Sequence, residues 1–224
     1  MDAPDARSFP DIGLPPQGTP MWHIREAPLP LGRWRCRTIG DDTHDDSEVV
    51  TGPIDTGDSF VYGYCDVDAM GRSVMHLNPV VIPDAPALWF VALPDRTDPR
   101  PAMTLVGFAT DHLPPGTIIG DPEFFSLPVD PTEQVGAISW WFEEGVVDQL
   151  FIAEQWRRHH LARLFTAAAQ GFQVHNGWPP KLTSNGRRTA LGEHLATRAL
   201  FPDRYAPLEV LAPPMDPTPD GGSR

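Results

Sequence analysis

Two cysteines in 224 residues are too few for a disulfide framework. The acidic, proline-rich start lacks the basic and apolar regions of a secretion signal, so Cys36 and Cys65 are expected as reduced thiols in a cytoplasmic protein. No apolar run approaches the length of a membrane span, and no membrane partner is expected. Metal-ligand spacing is missing as well. His159 and His160 are adjacent rather than four apart, and the carboxylates of residues 41–46 lack the central glycine and closing glutamate of a calcium loop. Tyrosine is scarce, with only Tyr62, Tyr64 and Tyr205. No internal repeat is visible, and no long amphipathic helix lies between residues 32 and 130.

What is present is acid, proline and short apolar runs. The net charge of −13 excludes a protein that binds nucleic acid over its whole surface, but the charge is uneven. Residues 151–204 carry eight Arg/Lys against three Asp/Glu, a local +5, whereas residues 1–150 carry eight against twenty-four. A phosphorylated ligand suits the basic segment, and a cationic acceptor such as an amine suits the acidic one. Residues 1–31 and 213–224 are rich in Pro, Asp and Gly and read as tails unable to offset their ordering entropy, which leaves one domain at 32–212. Within it, residues 34–39, 59–65, 73–82, 87–93 and 103–109 are bounded by Pro, Gly and Asp and predict strands.

The segment 136–169 is the most legible. Residues 136–142 and 146–153 read as two strands joined by a hairpin link at Glu143-Glu144-Gly145. Past Arg157 the period changes: Leu161, Leu164, Phe165 and Ala168 fall at i, i+3, i+4, i+7, predicting a helix over about 160–170 packed on a sheet. A strand running through a basic turn into a helix offers uncapped amides and positive charge to an anion. A second helical pattern follows at about 188–200, after the turn residues Thr183-Ser184-Asn185-Gly186.

In this strand, loop and helix the chain resembles the GCN5-related N-acetyltransferase (GNAT) superfamily, whose pyrophosphate loop has the form Arg/Gln-x-x-Gly-x-Gly/Ala. Arg157 takes the first position, His160 stands where glycine is usual, and Ala162 takes the last. The likeness covers roughly residues 136–200, with an actinobacterial or phage flavour in the tail that follows. It implies an α+β fold: a mixed, mostly antiparallel GNAT-like sheet with helices packed on it, here with a β-rich N-terminal half. It also implies acetyl-CoA, or another acyl-CoA, as cofactor. By this carry-over Leu150, Ile152 and Ala153 line the thioester, and Arg157, Arg158, His159, His160, Leu161, Ala162 and Arg163 hold the pyrophosphate. Glu154 and Asp148 are the candidate bases, and Tyr205 or Ser184 the candidate acid, with a helix-capping role open for Ser184.

The activity so implied is acyl transfer to a small-molecule or protein amine. Two alternatives stand beside it: a non-catalytic binding module, and a phage-type enzyme modifying nucleic-acid bases, which the overall acidity disfavours. Asp55-Thr56-Gly57 and Ile118-Ile119-Gly120 resemble aspartic-protease elements, but Asp58 follows the first and a plain turn is the better reading.

Overall fold

The short runs punctuated by Pro and Gly become strands because each alternates faces before a breaker ends it. In the computed structural model, which describes residues 9, 12–97 and 99–213, the first half contributes β1 (Met21–Pro28), β2 (Trp34–Gly40), β3 (Val49–Thr51), β4 (Phe60–Val67) and β5 (Ser73–Leu77). Next come β6 (Trp89–Asp95), β7 (Ala102–Phe108), β8 (Thr117–Gly120) and the one-turn α1 (Asp121–Phe124). The remainder is β9 (Gln134–Trp141), β10 (Val146–Ile152), α2 (Leu161–His175), β11 (Thr183–Ser184), β12 (Arg187–Arg188), α3 (Ala190–Ala196) and β13 (Val210–Leu211).

Eleven of these strands form one mixed sheet in the order β11-β10-β9-β7-β6-β8-β5-β4-β2-β1-β3, with β12 and β13 paired apart. Two antiparallel blocks are visible in it, β1-β2-β4-β5 and β6-β7-β9-β10. The short β8 joins them, parallel to β6 and antiparallel to β5 through only Ser73 and Val74.

This corrects the expected GNAT-like α+β fold with helices packed on the sheet. The described residues are mostly β, in a single eleven-stranded mixed sheet, with only three helices. The reason lies in 21–130, where aromatic and β-branched residues alternate and proline or glycine interrupts before a helical stripe can repeat. The reading of 1–31 as a tail is corrected too: Met21–Pro28 is β1, with Trp22 and Ile24 buried. Its remaining claims on 1–8, 10, 11 and 214–224 lie outside the described residues.

The long helix α2 crosses one face of the sheet. Leu161, Leu164, Phe165, Ala168, Ala169 and Phe172 are buried in the largest core cluster, against Phe90, Leu105, Ile138 and Trp140. It runs five residues past the expected end because Gly171 does not break it. A Cβ at Gly171 would lie 3.2 Å from Cys65 Sγ, so the missing side chain lets the helix settle on the strands. Buried polar groups fix its azimuth: Gln173 Oε1 accepts from Trp140 Nε1 at 2.8 Å and Gln173 Nε2 donates to the Phe142 carbonyl at 2.6 Å. The opposite face holds a second cluster, in which Trp89, Val91, Phe108 and Ile119 pack with Phe124 of α1.

The hairpin between β9 and β10 turns at Gly145, whose φ of +68° suits glycine. A Cβ there would also collide with the Lys181 carbonyl, while the Gly145 carbonyl accepts from Thr183 N at 2.8 Å. Gly145→Ala is therefore expected to cost upward of about 2 kcal/mol, read as a lower urea midpoint, and to loosen β11 first. An unchanged midpoint would mean that the turn relaxes freely.

Candidate functional site

The strand β10 carries an irregularity that opens a site. Its register against β9 slips between Val147 and Gln149, so Asp148 is a bulge, and bulges bend a strand. On the other edge, β11 pairs with it in parallel at Val146 and Val147 alone. Past that point β11 leaves toward Tyr205, with a bridge from Ser184 and a bond from Ala206 N to the Ser184 carbonyl. Ala153 N donates to Val135 on the β9 side, so by the two-residue alternation the peptide groups of Leu150 and Ile152 face the vacated edge. Arg157 Nε reaches the Ile152 carbonyl there at 3.2 Å.

A cavity of about 760 Å³ fills the wedge between β10, α2, α3 and the segment around Tyr205. Its deep end is apolar, floored by Met21, Cys36, Tyr62, Cys65, Met75 and Val81; its other walls bring Asp148, Arg163, Ser184, Arg187 and Tyr205 together. Tyr62 is brought in by a slip of register between β2 and β4 at Thr38, which leaves it unpaired and turned to the cavity. Burial raises the Tyr205 phenol above its ordinary value against the pull of Arg188, Arg204 and Arg163, and burial raises Tyr62 likewise. Both stay protonated at neutral pH.

Four of the five arginines of the walls differ in commitment. Arg188 is held by Glu193 at 2.8 Å and by the carbonyls of Asn185 and Ala206. Arg204 is held by Asp46 and Gln170, each at 2.8 Å, and by Ser47. Among the described residues no carboxylate pairs with Arg163 or Arg187, so their charge is free for a ligand.

Of the residues read from sequence, Asp148, Leu150, Arg163, Ser184 and Tyr205 line this cavity. Glu154, Ile152, Ala153, Arg157, Arg158, His159, His160, Leu161 and Ala162 are not part of its wall. Glu154 opens a short 3-10 turn and is exposed; the Leu161 side chain is only 2% exposed and anchors α2 to the core. Ser184 belongs to β11 and does not cap a helix. The cap of α3 is Thr189, which accepts from Gly192 N at 3.1 Å. His160 has φ of +54° and Arg158 +72°, so the loop takes the left-handed path that glycine favours despite its side chains. No side chain caps the first amides of α2 and no acidic residue lies in its first turn.

Sequence reasoning missed Arg187, Arg204, Gln170 and the thiols of the floor. Arg163, Thr166 and Gln170 stand at i, i+3, i+7 on α2, a polar stripe that was legible; Arg204 and Asp46 meet across 158 residues and left no local trace. The Asp-Thr-Gly element is a turn, with Gly57 N donating to Asp55 Oδ1 at 3.0 Å. Among the described residues no helix is long and apolar enough to cross a membrane. No protein family, curated protein or solved structure matches the chain.

Proposed function

We propose that the chain binds an acyl-coenzyme A in this cavity and transfers its acyl group to an amine. The observation that carries the reading is the open edge of β10 beside a cavity that is apolar at one end and cationic at the other. A pantetheine arm is peptide-like, and the N–H and C=O groups of Leu150 with the N–H of Ile152, turned to the vacated edge, suit it as they would suit an added strand. Arg163 and Arg187 on the cavity wall suit phosphates. A bound thioester would supply an activated acyl carbonyl and a thiol leaving group. The chain's own groups handle protons: the Asp148 carboxylate on the bulge takes one from the amine, and the Tyr205 hydroxyl, protonated by its burial, gives one up.

A binding module without catalysis is favoured by a separate observation, the position of Arg157 to His160 off the cavity wall. Two measurements separate the readings. Calorimetric titration with acetyl-CoA is expected to show binding that weakens about tenfold or more in the Arg163→Ala, Arg187→Ala double variant, since each 1.4 kcal/mol is about a factor of ten. Arg158→Ala should change it far less. Asp148→Asn should then lower turnover of an amine acceptor while leaving the affinity intact. Absence of any acetyl-CoA binding at millimolar concentration would sink both catalysis and the cofactor.

A further inference from the structure

A row of four paired residues runs across the sheet, and three of them, Cys36, Cys65 and Met75, lie on the floor of the cavity. Arg25, Cys36, Cys65 and Met75 are direct partners on β1, β2, β4 and β5, so their side chains share the face covered by α2. Directly opposed residues of an antiparallel pair bring Cα atoms to about 4.5–5.5 Å, inside the range a disulfide spans. Both cysteines are free and buried, at 1% and 3% exposure, yet both border the cavity, so a small solute reaching its floor meets sulfur.

The surroundings of the two thiols are unequal. Cys36 faces three groups that favour negative charge: the Cys65 thiol, the His175 imidazole within hydrogen-bond reach, and the Arg25 guanidinium opposite it. The Nε of Arg25 is buried without a hydrogen-bond partner, while its Nη2 donates to the Trp178 carbonyl at 3.4 Å. His175 is fully buried and fixed from both sides, its Nδ1–H donating to the Trp34 carbonyl at 2.6 Å and its Nε2 lying 2.9 Å from Ser73 Oγ. Cys65 instead faces the charge of Asp66 and serves as donor to Cys36. Hydrogen bonding from Cys65, opposed by burial and joined by His175, brings Cys36 to about 6, while Cys65 is pushed well above its ordinary value.

We propose that Cys36 and Cys65 form a redox-active dithiol whose oxidant is hydrogen peroxide, with Cys36 attacking and Cys65 resolving. The Cys36 thiolate attacks one peroxide oxygen; the O–O bond breaks, an S–O bond forms, and the departing hydroxide takes up a proton as water. The Cys65 sulfur then attacks Cys36 sulfur; the S–S bond forms, the S–O bond breaks, and a second water carries off the thiol hydrogen. The sulfurs lose two electrons and the peroxide gains them. The chemistry stands independently of acyl transfer.

The test is intact mass of the folded protein after hydrogen peroxide, followed by peptide mapping. Wild type is expected to lose the mass of two hydrogen atoms, to yield a Cys36–Cys65 linked peptide, and to recover on adding a dithiol reductant. Cys65→Ser should instead gain one oxygen at Cys36 and take a dimedone adduct, whereas Cys36→Ser should leave Cys65 unmodified. Folded wild type that keeps its mass in millimolar peroxide, or only gains oxygen, overturns the proposal. So does a dimedone adduct at Cys65 rather than Cys36. The wild-type measurement decides even if a variant fails to fold.

Discussion

Between about pH 7 and about pH 4 the folded chain is expected to lose about 3 kcal/mol of stability through His23 alone. His23 is fully buried on β1, and its protonation state follows from its neighbours. Gln170 Oε1 accepts from Arg204 Nη1 at 2.8 Å and from Leu182 N at 3.1 Å, so the amide nitrogen must face the Pro180 carbonyl and His23 Nε2. The ring nitrogen that meets an N–H has to be a lone pair. Nδ1 then carries the hydrogen and donates to Thr38 Oγ1 at 3.1 Å.

A second proton would set N–H against N–H beneath Arg204. Burial, with Arg204 and Arg25 outweighing Asp46, lowers His23 from 6.5 to about 3. The unfolded chain therefore takes up a proton below pH 6.5 that the folded chain refuses until about pH 3. Stability is full above that window and falls through it on acidification. Asp46 adds to the loss at lower pH: although burial pushes it up, the charge and hydrogen bond of Arg204 bring it to about 2, so its contribution fades as pH falls below the ordinary carboxylate range. Urea midpoints measured across this range check the slope. His23→Gln should be less stable at neutral pH yet much flatter toward acid; a variant as steep as the parent would show that another group is responsible.

Phe165→Ala should cost about 3–5 kcal/mol. The ring is fully buried at the centre of α2's underside and meets Phe90 edge-on at 5.8 Å between centroids. It rests over two glycines: an added Cβ at Gly107 would come within 2.6 Å of it and one at Gly136 within 3.0 Å. The sheet is hollowed there to receive the ring, so neighbours have little material with which to refill the space. Against a total stability of about 5–15 kcal/mol, the loss is a large fraction of the whole. The same geometry gives a sharper check. Gly107→Ala alone should destabilise by overpacking, but in the Phe165→Ala background the added methyl meets empty space, so the double variant should fall well short of the summed single losses. Additive losses would mean that the ring and the glycine do not share a cavity.

Phe165 also shows what the sequence disclosed. The stripe through Leu161, Leu164, Phe165 and Ala168 made α2 and its buried face legible, and most strands were readable from alternation and breakers. The sheet they form was not, because pairing partners such as β5 and β8 are set by packing rather than by local pattern. In the cavity, Asp148, Leu150, Arg163, Ser184 and Tyr205 came from one short stretch of chain and its continuation. Arg204, Gln170 and the Cys36–Cys65 row did not, since each depends on strands distant in sequence meeting in one register. The loop from Arg157 to His160 carried the strongest motif and yet stands off the wall, because the helix it feeds is aimed by Leu161 and Phe165 at the core.

The slender seam at β8 bears on how the chain reaches its native state. Each antiparallel block is built from neighbours in sequence, so each closes small loops and can form early. Their union waits on a four-residue strand inserted between them, and on α2, which spans both. Docking is then the slow event, and the exposed flanks of β5 and β6 are the surfaces that would find wrong partners while it is pending. Backbone amides of β8 should accordingly gain protection from hydrogen exchange only when folding is complete, later than those within either block.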